Sequence, residues 1–202
     1  MAKLILIAAA QTDWKAQGRL AGNMSLPLSE IGHRQAVEMS QEIVKLAPTL
    51  IRNGPEQSTK QTASLISHNL HLRPRPVQTL SEVNLGLWQG MMLSELEERF
   101  GKAYRQWRND PLAIEPPEGE TISAAAGRLT AAIEKLRKKN ENAIFAACVG
   151  QYAFAILRSR LMDHSYEHFW EYIDQEQTFQ VIDLPGPARE PISPKPPKTT
   201  AA

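Results

Sequence analysis

The sequence has a single cysteine, Cys148, in 202 residues. An internal disulfide is therefore impossible, and a cysteine-based metal framework is excluded. Charge of one sign is not in excess either. The 23 Lys and Arg stand against 22 Asp and Glu, and a net charge of +1 gives no electrostatic case for nucleic acid or an anionic membrane. No apolar run is long enough to span a bilayer. The N-terminal run follows one lysine and reads into a strand rather than a secretory leader. The five histidines, His33, His68, His71, His164 and His168, lack metal-ligand spacing; His68 and His71 make half a site at most and read as surface residues near a helix end. These absences set the expectations: no metal, no cofactor, no membrane span, and a cytoplasmic location.

What is present is the composition of a globular domain. Hydrophobic residues make up 42% and charged residues 22%, over a length that suits one domain with a substantial core. Lys3–Ala9 is a continuous apolar run, as expected of a buried central strand. Ser29–Leu46 has helical periodicity, with Ser29 as N-cap and Pro48 after its end. Thr49–Arg52 predicts a second strand, Ser58–Asn69 a helix, and Pro76–Leu80 a short third strand. Leu93–Phe100 and Tyr104–Asn109 predict two helices broken at Gly101. Thr121–Asn140 is an alanine-rich helix with a basic end. Ala143–Val149, Tyr152–Met162 and Gln177–Leu184 predict strand, helix and strand. This alternation implies an α/β fold in residues 1–184, with a mostly parallel sheet and helices on both faces. Residues 185–202 hold six prolines and little apolar material, which predicts a flexible tail; Ser193-Pro194-Lys195-Pro196-Pro197-Lys198 also has the character of a docking peptide.

In open parallel sheets, ligands bind beyond the carboxyl ends of the strands. Ala8-Ala9-Ala10, Asn53-Gly54 and Cys148-Val149-Gly150 should therefore converge. The expected pocket is lined by Gln11, Thr12, Asn53, Gln57, Ser58, Glu82, Cys148 and Gln151, a polar and nearly neutral set suited to a small uncharged ligand or water.

Several ordered segments carry a family resemblance. They are Leu4 to Trp14 running into Gln17-Gly18-Arg19-Leu20 and Leu26-Pro27-Leu28-Ser29-Glu30-Ile31-Gly32, then Gln61-Thr62-Ala63. They continue with Glu82-Val83-Asn84-Leu85-Gly86-Leu87-Trp88-Gln89-Gly90, Pro116-Pro117-Glu118-Gly119-Glu120-Thr121 and Glu167-His168-Phe169-Trp170. The set resembles the histidine phosphatase superfamily, phosphoglycerate mutase-like proteins, from about Leu4 to Asp183. The resemblance implies a single domain of that fold.

It also implies where the chemistry has been lost. The family's Arg-His-Gly stands here as Ala8-Ala9-Ala10, so the attacking histidine is Ala9 and the preceding arginine is Ala8. A methyl group has no lone pair and cannot attack phosphorus. The second motif reads Asn53-Gly54-Pro55-Glu56-Gln57-Ser58, which replaces its arginine with Ser58 and its leucine with Glu56. The late Ser-His-Gly reads Cys148-Val149-Gly150. Phosphoryl transfer rests on positioning and on positive charge around the equatorial oxygens. Two arginines and two histidines are missing from that constellation, while Glu82 and Glu56 would face an incoming phosphate. Lys15 and Lys60 are the nearest cations in sequence, with Lys60 on a different helical face from Ser58.

The expectation is a pseudophosphatase that binds a protein partner as a scaffold, assembly factor or regulator. The alternatives are a repurposed enzyme using Glu82 with Cys148 or water, a small-molecule sensor, and an engineered inactive phosphatase. Three consecutive alanines fit mutagenesis, whereas Ser58, Val149 and Glu56 fit natural divergence. Cys148 reads as an inert buried thiol rather than a nucleophile, and Glu82 as a support for backbone amides rather than a proton donor. Trp14, Trp88 and Trp170 read as packing residues. Tyr104 and Trp107, in an insertion over the pocket, are the expected partner surface.

Overall fold

The computed structural model describes residues 1–174 and 178–185. The tail expected over residues 185–202 lies, apart from Pro185, outside the described residues.

Strand β1 (Ala2–Ala8) is buried at every position except Lys3. Such a strand must be covered on both faces, and its side chains divide accordingly. Leu4, Leu6 and Ala8 enter one core, and Ile5 and Ile7 enter the other. Helix α1 (Asp13–Ala16) is a single turn capped by Thr12, whose Oγ1 accepts from the Lys15 amide at 3.3 Å. Helix α2 (Glu30–Lys45) starts where Ser29 accepts from the Gly32 amide at 3.0 Å, as its N-cap chemistry predicts. Strand β2 (Leu50–Asn53) and helix α3 (Gln57–His68) follow. Ala36, Met39, Ile43, Ala63 and Ile66 of α2 and α3 close the core on the Ile5 and Ile7 side.

Strand β3 is shorter than the sequence suggests. It is Arg75–Pro76, and Gln78–Leu80 turns into a 3₁₀ helix. Pro74 and Pro76 bring no N–H to the ladder, so pairing cannot extend there. Helix α4 (Leu93–Asn109) is two helical segments joined at a kink beside the predicted break at Gly101, where Phe100 has non-helical φ −128° and ψ 34°. Helix α5 (Ile122–Lys139) is capped by Thr121, and strand β4 (Ile144–Val149) follows it. Helix α6 (Gln151–Arg158) continues into a π-helical turn over Ser159–Asp163. Helix α7 (Phe169–Asp174) lies where the sequence predicts no element, and strand β5 (Phe179–Leu184) is the last element among the described residues.

The sheet order is β3-β2-β4-β1-β5, parallel throughout except for β5, which runs antiparallel to β1. Helices α2 and α3 cover one face, while α4, α5, α6 and α7 build the other core. The fold is thus α/β with a mostly parallel sheet. Among the described residues no helix is long and apolar enough to cross a membrane.

Trp107 is placed differently from the sequence expectation. It is 1% exposed and packs at the centre of the α4 face, so it is core and not a partner surface. Tyr104 is half-buried against the same cluster. With Leu96 it completes an apolar stripe along α4 at helical spacing.

Candidate functional site at the carboxyl ends of the strands

The carboxyl ends of β1, β2 and β4 converge, as parallel-sheet geometry requires. The register sets Ala8 beside Val149 and Asn53 beside Cys148. Just past these ends the Ala9 amide donates to the Val149 carbonyl at 2.8 Å, and the Gly54 amide to the Cys148 carbonyl at 2.9 Å. A cleft of about 240 Å³ opens above them.

Of the anticipated residues, Ala9, Ala10, Thr12, Ser58, Glu82 and Gln151 line this cleft. The others do not. Ala8 and Gln11 border a second hollow of about 40 Å³, which shares Ala9, Ala10 and Lys15 with the cleft. Gln11 is tied into the fold, with its amide donating to Gln35 Oε1 at 3.1 Å and its Oε1 accepting from Ser29 Oγ at 3.1 Å. Asn53 is buried and donates from Nδ2 to the Gly54 carbonyl at 2.7 Å. Cys148 and Val149 are fully buried, one in each core, because adjacent strand residues face opposite sides of the sheet. Gln57 is exposed on α3, with its amide donating to Ser25 Oγ at 3.1 Å. Burial pushes the Cys148 thiol well above its usual pKa, which removes the thiolate that a nucleophile requires.

Glu82 sits at the floor, 5% exposed. Its Oε2 accepts from the Tyr152 amide at 2.8 Å, and its Oε1 from the Ala153 amide at 2.8 Å and the Val83 amide at 2.7 Å. Tyr152 and Ala153 belong to the first turn of α6, whose N-cap Gly150 has no side chain to offer. A helix N-terminus is a ready anion site. Here the protein's own carboxylate fills it. Glu82 is therefore a loop and helix anchor, in keeping with its reading as a support for backbone amides. Its backbone is held in turn by Arg128 of α5, which donates to the Ser81 carbonyl at 2.6 Å and the Glu82 carbonyl at 3.0 Å while pairing with Glu120 at 2.5 Å.

Burial raises the Glu82 carboxyl to about 7, the nearby Glu56 charge adds to this, and the three amides oppose it. Burial likewise raises Glu56. Close approach of Glu82 to α6 depends on Gly150, where a Cβ would lie 2.2 Å from Glu82 Oε2. Gly150→Ala is expected to displace the carboxylate, leave two helix amides unsatisfied and lower stability by about 2–4 kcal/mol, read from urea unfolding.

The cleft also contains residues outside the expected polar lining. Glu56, which the resemblance sets facing an incoming phosphate, is the most consequential; it is 4% exposed, and its Oε1 accepts from the Glu82 amide at 2.8 Å. Its replacement of an apolar motif position was the available signal, but a glutamate is by default a surface residue and only tertiary placement buries it. The floor is therefore acidic rather than neutral. Leu20, Met24, Leu26, Leu93 and Ile173 add apolar wall. Lys15, Arg19 and Asp174 also line the cleft. Arg19 donates to the Gly90 carbonyl at 2.8 Å and to Gln17 Oε1 at 3.1 Å. Lys60 is exposed and does not line the cleft. No group of three or more His, Cys, Asp or Glu among the described residues is placed to hold a metal ion.

This architecture defines a class, and the sequence comparisons agree with it. Residues 4–186 match the histidine phosphatase superfamily (branch 1), and the chain belongs to that superfamily. Phosphoserine phosphatase 1 of Hydrogenobacter thermophilus is 26% identical over 184 residues, covering 91% of this chain and 87% of that protein. Glucosyl-3-phosphoglycerate phosphatase of Mycobacterium tuberculosis is 29% identical over 126 residues, or 62% of this chain and 56% of that protein. The structure of YhfR from Bacillus stearothermophilus superposes with a TM-score of 0.83 at 18% identity, covering 92% and 93% of the two chains, and so shares the fold.

Proposed function

We propose that this chain is a catalytically inactive histidine phosphatase-like protein that works by binding, as an assembly or regulatory factor for a protein partner in the cytoplasm. The observation that carries the reading is Ala9 on the wall of the cleft, where the family resemblance sets the attacking histidine. No lone pair is available there. Ala8 and Ser58 bring no positive charge to a phosphoryl group, and Val149 is committed to the core. The α6 amides are taken by Glu82, and Glu56 adds a second acid to the floor. Each change works against a transferring phosphoryl group, which needs concentrated positive charge. The phosphatase activity in the relatives' names belongs to those proteins; what this chain shares with them is the scaffold.

The test combines turnover with capture. The purified full chain is expected to release no phosphate from p-nitrophenyl phosphate or phosphoserine above buffer, and Ala9→His alone is expected not to restore release. Recovered from its native extract, the full chain is expected to carry a stoichiometric protein partner. Phosphate release that tracks the protein through purification and falls in Ala9→Phe would overturn the reading.

A further inference from the structure

Glu56 and Glu82 line the same cleft but are satisfied to different degrees. Glu82 has both carboxylate oxygens on backbone amides. Glu56 has one oxygen on the Glu82 amide, while its Oε2 is buried without any hydrogen-bond partner. A buried polar atom left unpaired destabilises the structure, more so when it is charged. Glu56 lines the cleft, so this unpaired oxygen, though itself covered, is the acceptor nearest to a donor that enters there and displaces its cover. The carboxylate comes this close to the chain because position 54 is glycine; a Cβ there would lie 2.4 Å from Glu56 Oε2.

The surroundings specify what kind of donor. Among the described residues no Lys, Arg or His forms a salt bridge with either carboxylate: Arg128 and Lys60 act on Glu56 only through space, Arg128 reaches Glu82 through its carbonyl, and Lys15 and Arg19, which also line the cleft, donate to neither acid. The floor is thus acidic, and the helix N-terminus above it is already neutralised by Glu82. An anion would meet two buried carboxyls. An aliphatic stem would meet Leu20, Met24, Leu26, Leu93 and Ile173. An apolar shaft with a charged tip matches both parts, as lysine and arginine side chains do when their stems lie on apolar surface.

Building on the binding reading above, we propose that this cleft accepts an alkylammonium or alkylguanidinium group, with its N–H donors on the Glu56 carboxylate, instead of a phosphate. The family scaffold would then have kept its cleft and reversed the charge that the cleft selects. The same chemistry is carried by a free small amine and by a lysine or arginine side chain of a protein partner.

The experiment is calorimetric titration and thermal shift on the full chain with n-butylguanidine, n-butylamine, the capped tripeptide acetyl-Gly-Arg-Gly-amide, neutral n-butanol, orthophosphate and phosphoserine. Saturable binding of the two alkyl cations, at least ten-fold tighter than butanol and than either phosphate, is expected. Glu56→Gln should weaken that binding at least ten-fold, since it keeps an oxygen for the Glu82 amide and removes the charge. Ser58→Arg, a cation supplied from the cleft wall with Glu56 intact, should weaken it similarly, and thermal unfolding of both variants checks that they fold. Tighter binding of the tripeptide than of butylguanidine assigns the group to a partner's side chain, and weaker binding assigns it to a free small molecule. Cation binding no better than butanol, preference for orthophosphate or phosphoserine, or unchanged affinity in both variants would overturn the proposal. Release of phosphate from phosphoserine in the same samples would overturn the non-catalytic reading instead, so the two failures are distinguishable.

Discussion

Trp107→Ala is expected to destabilise the protein by about 3–5 kcal/mol, enough to unfold a large part of the population at moderate urea. Trp107 is 1% exposed and lies where four elements meet. Its ring is 5.2 Å from Trp88, 5.9 Å from Tyr152 in a stacked arrangement, and 4.7 Å from Trp170 edge-on. These partners come from the segment after β3, from α6 and from α7. Truncation removes the transfer free energy of the indole and leaves a void that three large rings cannot all close. Aromatic pairing adds about 0.5–1.5 kcal/mol per contact beyond area. Urea unfolding followed by far-UV circular dichroism measures the loss. A change within about 0.5 kcal/mol is what an exposed partner surface would give, and it would return Trp107 to that role.

The same residue shows how sequence reasoning succeeded and failed. The strands and the α/β class were legible because their signals are local. Lys3–Ala9 is a short apolar run consistent with a buried strand, and Ser29 announces α2 by its own side-chain chemistry. The placement of Trp107 depends on what α4 packs against. Leu96, Tyr104 and Trp107 do recur at helical spacing, but so charged a segment also reads as a solvated insertion. The break at Gly101 also divides the pattern, and the structure has it as a non-helical kink at Phe100 between two helical segments. Helix α7 is six residues long, below the length at which periodicity can be read.

The candidate site was legible by its place in the fold and misread in its lining. Strand ends converge by topology, so Ala9 and Ser58 could be placed together from sequence. Which side chain at a strand end points over the edge depends on a one-residue phase. Cys148 and Val149 fall into the two cores for that reason. Glu56 follows the opposite course, since burial is imposed on it by the turn into α3 and by the Glu82 amide it accepts. Its charge changes the electrostatic character of the whole floor.

Burial of Glu82, with the Glu56 charge adding to it, makes stability depend on pH in a direction opposite to that of most carboxylates. The Glu82 carboxyl titrates near 7 in the folded protein, against an ordinary value of 4.5. Between those values the folded state binds more protons than the unfolded state. Stability contributed by this group is therefore fully present below about pH 4.5 and falls as pH rises, with the loss complete above about pH 7. The span corresponds to about 3 kcal/mol. Other carboxylates titrate over the same range; Glu134, for example, is held low by Arg137. The quantity to measure is therefore the stability difference between wild type and Glu82→Gln at pH 5 and pH 8. The glutamine keeps one oxygen for the Val83 and Ala153 amides but turns an NH₂ toward the Tyr152 amide. At pH 5 this mismatch makes the variant the less stable protein. By pH 8 the difference should move in the variant's favour by about 3 kcal/mol, because the wild type alone must then bury an ionised Glu82 beside Glu56. A difference that stays constant from pH 5 to pH 8 would mean that three amides and the α6 terminus keep Glu82 ionised throughout. In that case the cleft floor would carry a fixed negative charge, and the cation affinity assigned to Glu56 would not weaken on acidification through Glu82.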